Sequence, residues 1–288
     1  MIQPTRILVL GAAGMLGNAV LRFFATSAAF DVVGTVRSEA SRLLLPESLR
    51  GQVVCGVDST DPAQVAELLS GVRPDIVINC IGVVKQLASA DDPLVAIPVN
   101  ALLPHQLARA CAAIGARLVH LSTDCVFSGR RGMYTENDEP DARDLYGLSK
   151  LLGEVDYPNA ITLRTSIIGH ELHSAHGLLG WFLAQQGRVR GFTRAVFSGL
   201  PTVEVARVIR DHVIPHPELH GVYHLGSAPI SKYDLLQLVA TAYRRDVQVE
   251  PDDRLVIDRS LDSGRFRQTT GYSPGSWPEL VAAMEAFR

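Results

Sequence analysis

The sequence predicts an α/β protein built on a doubly wound parallel sheet, with a smaller C-terminal α/β lobe. Three observations predict it. Short aliphatic runs alternate with longer Ala- and Leu-rich stretches through residue 165; a glycine-spaced turn, Gly11-Ala-Ala-Gly14-Met15-Leu16-Gly17, follows the first apolar run; and beyond residue 165 the alternation loosens into helical segments with few strands. Regular strand–helix alternation favours a parallel sheet, because each strand must return by a crossover over one face. The expected division is residues 1–165 for a dinucleotide-binding unit and 166–288 for a substrate lobe over the carboxyl ends of the strands, with segments free to interleave.

Taken in order, the expected strands lie near residues 6–10, 31–36, 52–57, 75–79, 116–121 and 160–164, separated by helices near 14–29, 61–71, 93–114 and 144–155. Asp61 and Pro62 form a good helix start, a capping side chain followed by proline in the first helical position. In the C-terminal part the pattern predicts helices near 177–187, 202–214, 231–244 and 276–287, and short strands near 222–225 and 247–250.

The glycine turn reads as a phosphate site. Glycine permits the tight turn and the close approach of backbone to a pyrophosphate, while the N–H groups and dipole of the following helix favour negative charge. Gly11, Gly14, Met15, Leu16 and Gly17 are therefore candidate cofactor residues. Arg37 stands at the end of the second strand, where an arginine would pair with the 2′-phosphate of NADPH and an acidic residue would select NADH. NADPH is the expected cofactor, with NADH as the alternative. Asp58, after the third strand, is placed to meet the adenine, although a capping role in its turn would also account for it.

Tyr146 and Lys150 are four residues apart in a helical stretch and so share one face. An ammonium beside a phenol favours its ionised form and tunes it for proton transfer near neutral pH. With the glycine turn, this spacing points to an oxidoreductase.

Composition supports and bounds the reading. The 288 residues are 47% hydrophobic but only 6% aromatic, enough for a large aliphatic core. A net charge of -3 without blocks of like charge argues against nucleic acid as a partner. The cysteines Cys55, Cys80, Cys111 and Cys125 have neither zinc nor CxxC spacing, which suits a reducing cytoplasm. The first apolar run is short and glycine-broken, so neither a signal peptide nor membrane insertion is expected.

The segments Gly11-Ala-Ala-Gly14-Met-Leu-Gly17, Asn79-Cys80-Ile81-Gly82, Val99-Asn100-Ala101, Leu121-Ser-Thr-Asp-Cys-Val-Phe-Ser-Gly129, Tyr146-Gly-Leu-Ser-Lys150 and Leu163-Arg-Thr-Ser166 resemble the extended short-chain dehydrogenase/reductases over nearly the full length. Within them the chain is most similar to the dTDP-4-dehydrorhamnose reductase branch. The resemblance implies that Thr123 hydrogen-bonds a substrate carbonyl, Tyr146 protonates its oxygen, Lys150 lowers the tyrosine pKa and holds the nicotinamide ribose, and Asn100 supports Lys150. It also implies that Cys80, Ile81 and Gly82 line the cofactor. The expected substrate is a nucleotide-linked 4-dehydro-6-deoxysugar, used in making a surface polysaccharide precursor. The sequence departs from the branch at Cys125, where a tyrosine is usual, and at Ile167, where a tryptophan is usual. Both positions line the sugar pocket in relatives, which opens the expectation to larger or differently substituted sugars.

A diphosphate needs cations, and Arg164, Arg194 and Arg259 are candidates, with Lys85, Gln86 and Asp124 near the sugar. Cys125 also aligns with the acid/base cysteine of GDP-fucose synthase, which pairs with a histidine. His173 or His176 would be that partner here, giving an epimerase or epimerase-reductase as the alternative. The same histidines lack metal-ligand spacing, so no metal is expected. A noncatalytic regulatory subunit is the reading from another class, because the regulatory subunit of methionine adenosyltransferase resembles this branch. The helices near 93–114 and 144–155 would pair across a two-fold axis if the chain forms a homodimer, as in many relatives.

Overall fold

The computed structural model describes residues 3–85 and 88–288; Gln86 lies outside the described residues. The first half runs β1 (Thr5–Leu10), α1 (Met15–Ala25), β2 (Phe30–Val36), α2 (Glu39–Leu43), β3 (Val53–Cys55), α3 (Pro62–Val72), β4 (Ile76–Asn79), α4 (Pro93–Ala96), α5 (Leu103–Ala113), β5 (Arg117–Thr123), α6 (Leu145–Leu152) and β6 (Ala160–Thr165). The second half continues with β7 (Ile167–Ile168), α7 (Leu178–Leu183), β8 (Gly187–Phe192), β9 (Ala195–Phe197), β10 (Leu200–Pro201), α8 (Thr202–Val208) and β11 (Gly221–His224). It closes with β12 (Ile230–Ser231), α9 (Lys232–Ala242), β13 (Val247–Asp252), β14 (Ile257–Asp258), α10 (Gly264–Thr270) and α11 (Trp277–Ala286).

A seven-stranded sheet in the order β11-β6-β5-β4-β1-β2-β3 forms the centre, and each of its strand pairs is parallel. Its strands carry almost unbroken aliphatic runs because both faces are covered. Along β1, Ile7 and Val9 enter one core while Leu8 and Leu10 enter the other, as the two-residue period of a strand requires. The first core takes α1, α8 and α11; the second takes α3 and α5. The strand order reverses between β1 and β4, which opens a crevice at their carboxyl ends, the usual ligand position in such sheets.

The alternation through residue 165 agrees with the structure, whereas the second half holds more strand than expected. The strand expected near 222–225 is β11, which pairs in register with β6 as the seventh member of the central sheet. Chain beyond 165 thus completes the first unit's sheet. The helix expected over 177–187 ends at Leu183, and β8 begins at Gly187 and pairs with β13. In β8 only Val189 and Gly191 are buried, so the strand has too little apolar alternation to announce itself, and a partner about sixty residues away decides it. A small sheet, β12-β9-β14, and helix α10 were likewise not expected.

The helix expected over 93–114 is interrupted by a π-helical segment, Ile97–Leu102, between α4 and α5. Pro98 and Pro104 each lack the N–H that a continuous ladder needs. π segments of this kind recur at functional sites, and this one carries Asn100. Among the described residues, no helix is long and apolar enough to cross a membrane.

Candidate active site

The glycine turn leaves β1 at Gly11, whose φ of +82° is the left-handed region that glycine tolerates. A Cβ at Gly17 would stand 2.1 Å from the Gly11 carbonyl oxygen, so glycine is what lets α1 pack against the turn. Gly14 caps α1 without a side-chain hydrogen bond. The first N–H groups of an eleven-residue helix are therefore free of side-chain caps, the donor set that suits a pyrophosphate. Met15 is half-buried beneath the segment after β7, where a Cβ at Gly177 would lie 2.7 Å from its Cε. Leu16 is buried in the core and shapes the turn from below.

Ile81 continues this wall, its Cγ1 3.0 Å from the position of a Cβ on Gly11. Cys80 lies beside it, its thiol pushed up to about 12 by burial, so it acts as a small apolar group. Gly82 follows, where a Cβ would be 3.5 Å from Asn100 Oδ1 and 3.9 Å from Lys150 Nζ. The wall thus runs without a break from the phosphate turn to the lysine. Arg37 is exposed at the end of β2. Asp58 accepts hydrogen bonds from the Thr60 N–H (2.9 Å) and hydroxyl (2.7 Å), which hold its carboxyl below the usual range; turn capping occupies it in this structure.

Thr123 ends β5, and Asp144 caps α6 by accepting from the Gly147 N–H at 2.8 Å. The helix comes close because of its glycines. A Cβ at Gly147 would lie 2.5 Å from the Cys125 carbonyl oxygen, and one at Gly153 would lie 1.9 Å from that of Asn100. Tyr146 and Lys150 are thereby set beside Thr123 and the π segment. Lys150 is 5% exposed and donates to the Leu121 carbonyl oxygen at 2.7 Å. Burial lowers its pKa to about 8, partly offset by Glu154 and Cys80.

Two expectations about this group need correction. The Tyr146 phenol is raised rather than lowered: burial dominates, the neighbouring acidic groups of Cys125, Asp124 and Asp144 add to it, and Thr123 pulls it back. Asn100 hydrogen-bonds not to Lys150 but to Val83, accepting from its N–H (2.9 Å) and donating to its carbonyl (3.2 Å), and to the Ser149 hydroxyl (3.2 Å). It pins the strand-end loop carrying Gly82 to α6, so its effect on Lys150 runs through the backbone.

The substrate side brings larger corrections. Arg164 is 5% exposed and committed: Nε and Nη2 donate to Glu154 at 2.7 and 2.6 Å, and Nη1 donates to His224 Nε2 at 3.2 Å. It is not free to meet a diphosphate. Cys125 is half-buried, and burial together with Asp124 pushes its thiol up to about 12, the opposite of what a thiolate base requires. His173 and His176 are exposed and neither hydrogen-bonds to it. Lys85 is exposed in an ion pair with Asp144 at 2.7 Å, and Arg194 is exposed before β9.

Arg259 does reach the site. Its Nε donates to the Phe127 carbonyl oxygen at 2.8 Å, and it lines a cavity of about 290 Å³ with Phe127, Ser128, Asp141 and Asp144. Asp124 is 8% exposed; burial raises its carboxyl while Arg259, Cys125, Thr123 and Lys232 draw it back. Lys232 escaped the sequence reading, because a lysine opening a helix looks like any solvated residue. Among the described residues no group of three or more His, Cys, Asp or Glu stands at metal-binding geometry.

A family model described as RmlD substrate binding domain matches residues 5–257. A probable low-salt glycan biosynthesis reductase of Haloferax volcanii is 37% identical over 165 residues, 56% of this chain and 52% of that protein. The chain thus spans about half the length of that relative. The methionine adenosyltransferase 2 subunit beta of Xenopus laevis is 27% identical over 84% of this chain and 73% of its own. Among solved structures, dTDP-4-dehydrorhamnose reductase from Bacillus anthracis in complex with NADP superposes with a TM-score of 0.80 at 20% identity, covering 99% of this chain and 100% of that one. At that identity the likeness shows the fold.

Proposed function

The chain belongs to the RmlD substrate binding domain family, and on that premise we propose that it is an NADPH-dependent reductase of the 4-keto group of a nucleotide-linked 4-dehydro-6-deoxysugar, serving glycan synthesis. One observation carries the reading: Thr123, Tyr146 and Lys150 meet at the end of a wall that begins at the phosphate-type turn. Gly11, Gly14 and Gly17 would hold the pyrophosphate, Arg37 the 2′-phosphate, and Gly82, Asn100 and Lys150 the ribose end. The bound nicotinamide would supply hydride to the sugar carbonyl carbon.

The chain's own residues then handle the oxygen. Thr123 donates to Asp124 across a long 3.3 Å contact, a weak bond that yields readily to a better acceptor. Its hydroxyl and the Tyr146 phenol are the donors available to a carbonyl oxygen gaining negative charge, which stabilises the transition state. The raised phenol keeps its proton until that charge develops and then transfers it to the oxygen, leaving a tyrosinate on the helix face that Tyr146 shares with the Lys150 ammonium.

The test is a single-turnover assay with NADPH and dTDP-, UDP- and GDP-linked 4-keto-6-deoxysugars in deuterated water, read by NMR of the product. A new alcohol at C4 with no deuterium at C3 or C5 supports the reductase. Deuterium at either carbon would revive the epimerase-reductase alternative despite the neutral Cys125. The similarity to a methionine adenosyltransferase subunit beta over most of the chain favours a second reading, a noncatalytic regulatory subunit. NADPH binding without oxidation by any sugar in the panel would select it.

A further inference from the structure

Glu154 follows Lys150 by four residues, and the chain between them keeps its helical sense past the end of α6. Gly153 stays in the right-handed region, and the Glu154 N–H donates to the Leu151 carbonyl at 3.1 Å. The two side chains therefore leave one face. They also end on neighbouring residues of β5: the Lys150 ammonium donates to the Leu121 carbonyl at 2.7 Å, and Glu154 accepts from the Ser122 hydroxyl at 2.7 Å. One peptide link separates those two anchors, so the carboxylate stands near the ammonium although its own hydrogen bonds go to Ser122 and Arg164.

The other groups that face Lys150 carry no negative charge at pH 7. The end of β4 brings Cys80, a thiol pushed up to about 12 by burial, and β5 brings His120, fully buried and kept neutral by desolvation. The neutral Tyr146 phenol shares α6, and the π segment adds the uncharged Asn100. On β6, Arg164 is the opposing charge, and it is spent on both Glu154 oxygens. The Glu154 side chain is only 6% exposed. A packing role at such a depth needs no charge, because apolar residues of similar volume hold buried elements together as well or better. A buried ammonium does need one.

We propose that Glu154 is a positioning residue that acts through Lys150: its carboxylate, fixed by Ser122 and Arg164, keeps the lysine in the ammonium form and anchored on β5. Its use in turnover rests on the reductase reading, whereas the charge it sets on Lys150 does not. The cluster that ties β6 to β5 thereby also governs the cation of the site.

The lysines of the chain are Lys85, Lys150 and Lys232, so NMR of the full chain carrying 13C at lysine Cε follows Lys150 directly, its signal identified by its loss in K150M. In the unaltered chain that signal should titrate near 8. E154Q should move the midpoint down by about one pH unit, the low end of the range for a neighbouring opposite charge because Arg164 opposes it. R164M/E154L, which keeps the site packed with apolar groups, should move it the same way by less, and it decides the matter if E154Q does not fold. The sign separates charge from structure. Loosened packing would admit water and move the midpoint up toward 10.5, so an unmoved or raised midpoint in these variants overturns the proposal. Turnover separates the two readings. A lowered midpoint with no NADPH oxidation by any ketosugar removes the reductase and leaves the coupling of Glu154 to Lys150. Oxidation whose alkaline limb in kcat/KM stays in place in E154Q, with an unmoved Lys150 signal, removes the coupling and leaves the reductase.

Discussion

Ser122 and Thr123 are neighbours on β5, yet their side chains serve two buried polar clusters of opposite character. The Ser122 hydroxyl donates to Glu154 at 2.7 Å, Glu154 is gripped by Arg164, and Arg164 reaches His224 and lies over the Phe127 ring, 5.3 Å from its centroid. His224, neutral because burial lowers it to about 4, places its Nδ1 proton on the Tyr134 carbonyl at 2.9 Å and accepts from Arg164 at Nε2. Nearly every donor and acceptor there has a partner. On the Thr123 side, Lys150 makes one hydrogen bond to protein, Tyr146 is held neutral by burial, and Thr123 accepts from the Cys125 N–H at 3.1 Å but donates only across a long contact to Asp124. A satisfied cluster fixes how β5, β6 and β11 sit; an under-satisfied one keeps its groups for a ligand.

The sharpest way to break this contrast is at the under-satisfied cluster. Y146F should lower kcat by about 10²- to 10⁴-fold, the usual worth of a general acid, without lowering the melting temperature. K150M should also cost activity, yet it should stabilise the fold. Burial holds the Lys150 pKa near 8 rather than 10.5, so its charge opposes folding at pH 7 by about 3 kcal/mol. Loss of the bond to Leu121 offsets part of that, and a melting temperature below that of the unaltered chain would contradict the contrast.

The next effect belongs to the satisfied cluster. R164M strands Glu154 without its cation and should destabilise by about 3–5 kcal/mol, whereas the double variant R164M/E154L should recover most of it. Urea unfolding of the two variants checks this; equal midpoints would mean that the pair is not coupled.

A smaller effect is read in pH. The Lys150 ammonium is present below its folded pKa of about 8 and lost above it, so kcat/KM should fall as pH rises past that point. Stability should move the other way: an unfolded lysine still binds its proton between about 8 and 10.5 while the folded one has lost it, so unfolding becomes harder across that window. A flat pH–rate profile from 7 to 9.5 would show that the charge of Lys150 is not used. The least effect is expected for C125S. With the thiol neutral, kcat/KM should change by less than about threefold, measured by steady-state NADPH oxidation; a larger loss would return Cys125 to the chemistry.

Much of this was legible in the sequence, for reasons that are local. Gly11, Gly14 and Gly17 reveal their turn because close backbone approach leaves few alternatives, and Tyr146 and Lys150 share a face through helical spacing alone. What misled was charge. Arg164 and Arg259 look alike in a string of letters, but one points into the protein beside Glu154 and the other into the cleft. Asn100 was expected to touch Lys150; the π segment turns its amide toward Val83 and Ser149 instead.

The sequence by itself determined the parallel sheet, the glycine turn and the shared helix face of Tyr146 and Lys150, because hydrophobic period, glycine sterics and helix pitch act over a few residues, whereas Thr123 was named only by the family resemblance. Only the tertiary structure decided that β11 completes the sheet, that Arg164 is spent inside, and that burial raises Tyr146 and lowers Lys150. Those outcomes depend on desolvation and on partners brought together from distant parts of the chain, and neither is written in any local stretch of it.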